Sequence, residues 1–326
     1  MSEVNPIFSF SIDADGRATA ISWEQVVQWR PNGGFLWLHL DRNDEKTEEW
    51  LHTEAGIDAL SAEALLADET RPRIETANGE TLAILRGVNL NPGSDPEDMI
   101  AVRLWIDKDR VISMEGRSLL AIRDIAKKLE EQRGPKTAGD FLATLSARLI
   151  DRMGPVIASL EDDLDALEES LIEGPDPSIR EELSRIRRMA VALRRYLGPQ
   201  REVITRAVTE DADWLDKANR AQLRECSDRI TRYVEELDAG RERASVTQDE
   251  LAARLSEQTN RTMYVLSLVA ALFLPLGFLT GLLGINVAGI PGTENPVAFL
   301  VVCVFLFLVA VVELVFFWRW RWLRVA

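Results

Sequence analysis

Residues 263–283 read MYVLSLVAALFLPLGFLTGLL, an apolar run without an ionisable side chain. A second run, VAFLVVCVFLFLVAVVELVFFW, occupies residues 297–318 and carries one acid, Glu313. Each run is close to the roughly 20 residues that a helix needs to cross the hydrocarbon core of a bilayer. Pro275 and Gly277 would weaken a soluble helix, but membrane helices tolerate such residues. The sequence therefore predicts two membrane spans joined by a short loop.

Basic residues lie before the first apolar run and after the second, and none lies between the two runs. Arginines precede the first run and follow the second: Arg254, Arg261, Arg319, Arg321 and Arg324. Residues 287–295, which connect the runs, contain no lysine or arginine. Because positive charge is enriched on the cytoplasmic side, we expect both termini to be cytoplasmic and the connecting loop to be external.

The rest of the chain has the composition of a soluble protein. The formal net charge of −15 over 326 residues argues against nucleic acid and anionic lipid as partners and is compatible with drawing in cations. Residues 1–10 lack the basic start and apolar core of a signal peptide. The two cysteines, Cys226 and Cys303, predict no disulfide framework. A phosphate-binding glycine loop, a metal-hydrolase histidine motif and a nucleophile elbow are missing from the sequence, so an enzyme is not expected.

Residues 1–135 mix strand and helix patterns. Asp15-Gly16 and Asn78-Gly79 suit the tight turns of β-hairpins, and a third hairpin is centred on Lys108-Asp109. Residues 45–66 read as helical. The pattern predicts an α/β or α+β cytosolic domain with a largely antiparallel sheet.

Residues 136–212 read as a helical hairpin. Each helix has an apolar stripe: Leu160, Leu164, Leu167 and Leu171 on the first, and Leu183, Ile186, Leu193 and Leu197 on the second. The outer face of the first helix is acidic and that of the second is rich in arginine. Ion-paired, solvated faces are the simpler interpretation, and a cation-attracting acidic cluster is the alternative.

From about residue 213, no proline interrupts the chain before Pro275, so one helix of roughly 100 Å can run from the cytosol into the membrane. Its first half has an apolar stripe: Leu223, Ile230, Val234 and Leu237. Polar and small residues follow on one face: Ser245, Gln248, Asp249, Ala252, Ser256, Thr259 and Asn260. A polar face that enters a span indicates a water-filled seam shared by several copies, because two spans cannot enclose a pore. We therefore expect a homo-oligomer.

The predicted organisation has seven parts. They are a cytosolic α/β domain (1–135), a helical hairpin region (136–212), a stalk (213–262), a first span (263–286), an external loop (287–295), a second span (296–318) and a basic cytosolic tail (319–326).

The end of the first span resembles a known family. Leu274-Pro275, the run from Gly281 to Asn286 and the phrase from Gln258 to Met263 are similar to the two-span metal transporters of the CorA/ZntB superfamily. Magnesium-transporting members typically read Gly-Met-Asn where this chain has Gly284-Ile285-Asn286, and the following loop looks like that of the zinc-transporting ZntB branch. The resemblance implies a CorA-like, funnel-shaped homopentamer with an α+β cytosolic domain, a long helical stalk and two transmembrane helices.

The resemblance places Gly284, Ile285 and Asn286 at the external mouth of a pore. Five Asn286 amides would bind a cation through its hydration water, and no direct ligand set is identified. We expect Gly284 to leave the helix with a positive φ. Without the family context, both Gly284 and Asn286 would be read as helix caps.

Further candidates lie along the same helix and in the neighbouring segments. Five residues are candidate pore-lining positions: Asn260, Met263, Leu266, Leu274 and Gly277. Asp249 and Glu294 are candidates for attracting cations, and Glu313 for handling protons. The alternative for the five pore-lining candidates is ordinary helix packing. The alternative for Asp249 and Glu294 is that they are solvated acids, and the alternative for Glu313 is an ion pair with Arg319 or Arg321.

Direct zinc ligands are scarce in the sequence. His39 falls in a strand and His52 in a helix, where both are expected to be structural or surface residues, and Cys226 is either a packed thiol or a soft ligand shared between copies. Passage of a hydrated or partly hydrated ion therefore fits better than a dehydrated zinc site.

The resulting hypothesis is a zinc transporter of the bacterial inner membrane, with Cd2+, Ni2+ or Co2+ as further ions. The resemblance suggests uptake coupled to a proton gradient, with membrane lipid and divalent cations as partners and no cofactor. A Mg2+/Co2+ channel is the first alternative. A membrane-anchored sensor or scaffold without transport is the second.

Overall fold

The computed structural model describes residues 4–31, 33–68, 70–174, 176–210, 212–285, 292 and 295–319. The chain divides into two compact units, Met1–Gln248 and Asp249–Ala326.

The first unit contains a seven-stranded sheet in the order β2-β1-β3-β7-β6-β5-β4. The strands are β1 (Phe8–Ile12), β2 (Ala18–Ala20), β3 (Phe35–Asp41), β4 (Arg73–Ala77), β5 (Glu80–Gly87), β6 (Ile100–Ile106) and β7 (Arg110–Glu115). Only the β3–β7 pairing is parallel, so the prediction of a largely antiparallel sheet is confirmed. All three predicted hairpins are present. Asn78 and Gly79 have φ values of 53° and 82°, as a tight primed turn requires.

Helices cover both faces of the sheet. Three helices precede β4 in the chain: α1 (Trp23–Gln28), α2 (Glu45–Thr53) and α3 (Ala59–Leu66). Leu36, Leu38 and Leu40 of β3 share a buried core with Trp50 and Leu65 from α2 and α3. Since side chains alternate along a strand, Phe35 and Trp37 point to the opposite face.

The opposite face packs against α4 (Leu120–Glu130), α5 (Ala138–Glu173) and α6 (Ile179–Thr209). The ring of Phe141 on α5 lies 5.0 Å from that of Trp37, centroid to centroid. The first unit is therefore a layered α+β domain, and the predicted fold class is confirmed.

Two helical details differ from the sequence prediction. The helical segment 45–66 is divided into two helices, because Gly56 adopts a φ of 68° and Asp58 caps a new helix by accepting the Ser61 N–H. The short helix α1 and the helix α4 were not predicted.

The helix α7 runs from Lys217 to Leu283 without interruption, with Pro275 inside it. Leu223, Ile230 and Leu237 are buried, as the apolar stripe predicted. The helix α8 extends from Ala298 to Arg319. Within the described residues, α7 and α8 are the two helices that are long and apolar enough to cross a membrane.

Candidate functional site

The candidate pore mouth begins where α7 ends. The Gly284 N–H donates to the carbonyl oxygens of Thr280 and Gly281 at 3.0 and 3.1 Å, which closes the last turn. The expectation of a positive φ at Gly284 is wrong, since this residue is not among the described residues with positive φ. A Cβ at Gly284 would instead lie 3.1 Å from the Thr280 carbonyl oxygen, so close packing favours glycine here. Ile285 is about half exposed at 49%, and Asn286 lies outside the described residues.

The five pore-lining candidates all lie on α7 and are exposed in the single chain. At 3.6 residues per turn they fall within about 120° of the helix circumference. The residues are Asn260, Met263, Leu266, Leu274 and Gly277. Their exposure leaves this stripe available for a pore or for contact with another copy.

An acidic stripe on α7 was only partly predicted. Asp228, Glu235 and Glu242 are exposed and repeat every seven residues, and Asp249 occupies the next position in the same repeat. Residues seven apart share a helix face. Within the described part of the chain, none of these four carboxylates has an ion pair or a side-chain hydrogen bond. Only Asp249 was predicted to attract cations from this stripe, although the seven-residue repeat is visible in the sequence.

Other charged groups of α7 are bound to α5 and α6. Arg229 contacts Asp151 at 2.8 Å, and Asp238 contacts Arg194 at 2.5 Å. Leu223, Ile230, Leu237 and Ala244 form a buried seam with the same seven-residue period. Because the acids follow these seam residues by five positions, they lie on the other side of the helix. The acidic stripe therefore points away from the packed face of α7.

One residue of the predicted polar stalk face, Gln248, packs toward α6 and does not lie on the exposed face of α7. Gln248 is partly buried and lines a groove with α6. Thr247 is also buried, and its hydroxyl lies 3.3 Å from Glu168 Oε1. The polar face of the stalk is thus narrower than predicted.

Glu313 lies within α8 and is partly buried. Its Oε2 atom is shielded from solvent and has no hydrogen-bond partner among the described residues, and the Tyr264 hydroxyl on α7 shares both properties. Arg319, an alternative partner of Glu313, forms no ion pair with it among the described residues. Arg321, the other alternative partner, lies outside the described residues. Glu294 also lies outside them.

Neither histidine belongs to a group of described residues that could hold a metal ion. His39 is fully buried in β3; its Nδ1 lies 2.8 Å from Ser113 Oγ, and its Nε2 lies 3.3 Å from Glu115 Oε2. Burial lowers the pKa of His39 despite the nearby carboxylate. Glu115 is already bound by the Arg123 guanidinium and by the Leu119 N–H, so we regard the imidazole as neutral. His52 is exposed on α2.

Cys226 is buried on α7, as expected for a packed thiol. Burial raises its pKa to about 11, which disfavours the thiolate that a metal ligand requires. Among the residues that the structure describes, no group of three or more His, Cys, Asp or Glu side chains could hold a metal ion.

The α+β fold, the long α7 helix and the apolar α8 helix define a class of membrane protein in which an α+β domain precedes two C-terminal spans. The sequence profile described as "CorA-like Mg2+ transporter protein" matches residues 32–319. The chain belongs to this CorA-like family.

Individual relatives agree with this assignment. The chain is 42% identical over 271 residues to the divalent cation transporter CmaX of Pseudomonas aeruginosa, covering 82% of this chain and 81% of that protein. It is 36% identical over 300 residues to the zinc transport protein ZntB of Pectobacterium atrosepticum, covering 92% and 90%.

Solved structures give the same result. The full-length CmaX structure matches with a TM-score of 0.86 and 38% identity, covering 99% of each chain. The CorA magnesium transporter from Methanocaldococcus jannaschii matches with a TM-score of 0.81 over 97% of this chain and 98% of that one. At 17% identity, the second match shows the shared fold alone.

Proposed function

We propose that this protein is a homopentameric transporter that takes up Zn2+ across the bacterial inner membrane, with both termini in the cytoplasm. The observation that carries the proposal is the unpaired acidic stripe of α7, opposite the seam that packs on α5 and α6. In a ring of α7 helices, this stripe would face the axis and concentrate divalent cations along it.

The external mouth would select hydrated cations. A ring of Asn286 amides presents neutral oxygens that orient hydration water without holding a divalent ion too tightly to release it. The lack of a cluster of His, Cys, Asp and Glu among the described residues supports passage of an ion that keeps much of its water. Met263 and Leu274 would form apolar constrictions that gate the pathway by dewetting.

Zinc is preferred over magnesium for two reasons. The relatives named ZntB align over nine-tenths of this chain, and the motif has Ile285 where magnesium-transporting members have methionine. Cd2+, Ni2+ and Co2+ would share the pathway. A Mg2+/Co2+ channel is the competing function, and the Mg2+ transporter description of the matched family favours it.

Glu313 is the candidate for proton coupling. Its Oε2 atom is shielded and has no described partner, and an ionised carboxylate inside an apolar helix is costly, so uptake of a proton would remove the unfavourable charge. Replacement by glutamine should then leave downhill zinc flux intact and remove its dependence on a pH gradient.

Proteoliposomes loaded with a zinc-sensitive dye test the proposal. Zn2+ entry should rise when the outside is made acidic, and Asn286→Ala should lower the initial rate about tenfold or more, as expected for loss of a selectivity ring. The matched control is Asn295→Ser, which keeps an oxygen acceptor for the Val297 N–H. Mg2+ flux without Zn2+ flux would select the channel, and absence of flux for every cation would leave only a sensor or scaffold.

A further inference from the structure

A basic groove lies between α6 and α7 in the first unit. It has a volume of about 440 Å³. Its lining combines arginines with small and apolar residues: Ser184, Arg187, Arg188, Val191, Arg195 and Gln248. Val191 is 49% exposed although it lies in the middle of a helix, so the groove offers an uncovered apolar contact between positive charges.

The groove arginines differ from their neighbours in having no acidic partner. Arg185 binds Asp163 and Glu182, and Arg194 binds Asp238. In the described ranges, Arg187 and Arg188 form no ion pair. Arg195 lies over the Tyr196 ring instead of a carboxylate. The positive charge of the groove is therefore not neutralised by any described residue of its own chain.

A complementary surface lies on α5. Asp162, Ala166, Glu169 and Glu173 are exposed at spacings of three and four, so they form one outer stripe, and Ile172 beside it is 76% exposed. The acids of this outer stripe make no ion pair with any other described residue. The acids on the flanks of α5 are engaged instead: Asp163 with α6, and Asp165 and Glu168 with α7.

On the helical hairpin, the Asp162 end of the outer stripe lies level with the end of the groove that contains Ser184, Arg187 and Arg188. The Asp163–Arg185 contact at 2.8 Å brings these two residues side by side. Because α5 and α6 run in opposite directions, Asp162 then lies level with the turn that contains Arg187 and Arg188. The outer stripe of α5 points away from α6 and α7, whereas the groove opens where α6 meets α7. The two surfaces therefore lie on different sides of the hairpin.

We propose that the basic groove of one copy binds the outer stripe of α5 from the next copy. Two different, complementary surfaces that overlap in level are what a head-to-tail ring requires. Arg187 and Arg188 beside Asp162 of the neighbour would fix the register. This inference rests on the proposed oligomer and assigns its contact outside the pore.

Cysteine cross-linking tests the contact in the full-length protein. The parent is a variant with Cys226→Ala and Cys303→Ala, to which Asp162→Cys and Arg188→Cys are added together. Mild oxidation in liposomes should give a ladder of covalent multimers. The pair Asp162→Cys with Lys46→Cys is the matched control, because Lys46 is exposed on α2 and away from the groove. A ladder of equal yield from both pairs would overturn the proposal.

Charge reversal supplies a second test that separates this contact from the oligomer itself. Arg187→Glu/Arg188→Glu should weaken assembly about tenfold by native mass spectrometry, and adding Asp162→Arg/Glu169→Arg should restore it. Lys46→Glu/Arg180→Glu makes the same change in net charge outside the groove and should have little effect. If the parent is oligomeric and the groove variant is unchanged, the contact is wrong and the transporter proposal stands. A monomeric parent would contradict the proposed oligomer instead. Loss of binding to phosphatidylglycerol vesicles with assembly unchanged would assign the groove to lipid.

Discussion

Arg243 on α7 holds Glu168 on α5 through two contacts, Nε to Oε1 at 3.2 Å and Nη2 to Oε2 at 2.7 Å. The same guanidinium reaches Asp165 at 2.5 Å. Hydrogen bonds from these carboxylates hold the pKa of Arg243 above its ordinary value. This cluster links the long helix to the hairpin, one turn from the partly buried Gln248.

Arg243→Lys should loosen this link. Lysine keeps the charge but cannot make the paired contacts of a guanidinium. Because the Arg243 and Glu168 side chains are 43% and 35% exposed, we expect a loss of only about 0.5–1 kcal/mol in the free energy of unfolding. The measurement is urea unfolding in detergent, followed by tryptophan fluorescence. Arg241→Lys, at an exposed neighbour without an ion pair among the described residues, is the control. Equal effects of both variants would contradict the prediction.

Much of the sheet domain could be predicted from the sequence because its signals are local. Asp15-Gly16 and Asn78-Gly79 set two hairpins, and alternating side chains set the strands. The helix α1 begins with a capping box between Ser22 and Gln25, which is a local helix-start signal in the sequence. The helix α4 lacks a side-chain cap of its own. Its Leu119 N–H donates to the Glu115 carboxylate four residues earlier, at the end of β7, and this contact is not one of the usual helix-start signals.

The candidate site was predictable to a smaller extent. The apolar runs were visible in the sequence, and the resemblance pointed to Asn286, which lies outside the described residues. The acidic stripe of α7 required knowing which charges are already bound. Asp238 and Glu242 look alike in the sequence, but Asp238 binds Arg194 whereas Glu242 has no partner in the described ranges. That difference depends on tertiary packing.

His39 should make stability depend on pH. Its pKa is lowered in the folded protein by burial, so the unfolded chain binds more protons below the unfolded-state pKa of about 6.5. The charged groups facing the ring are Glu115 from β7 and Arg123 from α4. The contribution of His39 to the free energy of unfolding should therefore be constant above about pH 7 and should fall as the pH drops from there toward 5. Thermal unfolding at each pH measures it.

His39→Asn is the variant for this test. It should lower stability at pH 8, because it leaves a gap beside Trp37 and Ser113, yet reduce the further loss between pH 7 and 5. His52→Asn, at an exposed position, should keep the slope of the parent. A slope that survives in His39→Asn would show that another group is responsible.

Cys226 should resist alkylation. Its side chain is buried and its pKa is raised to about 11, so very little thiolate exists at pH 7.5. Intact-mass spectrometry of a Cys303→Ala variant should show less than about a tenth of the N-ethylmaleimide labelling that the same variant reaches in urea. Rapid labelling of the folded variant would mean that the α7 seam opens in solution. Zn2+ protection of that labelling would favour the soft-ligand interpretation.

The acidic stripe predicts how transport depends on salt. Glu235→Gln/Glu242→Gln removes two unpaired charges from each copy of α7, so the local concentration of cations along the stripe should fall. At low ionic strength and limiting Zn2+, we expect the initial flux to drop about threefold or more. At 0.5 M salt, parent and variant should become similar, because the Debye length is then only about 4 Å. Glu202→Gln removes an exposed acid on α6 and is the matched control. If the transport rate is set only at the Asn286 mouth, all three proteins should show equal flux at every salt concentration. If the acidic stripe faces the ion path, the difference in flux from the parent should depend on salt for the double variant alone.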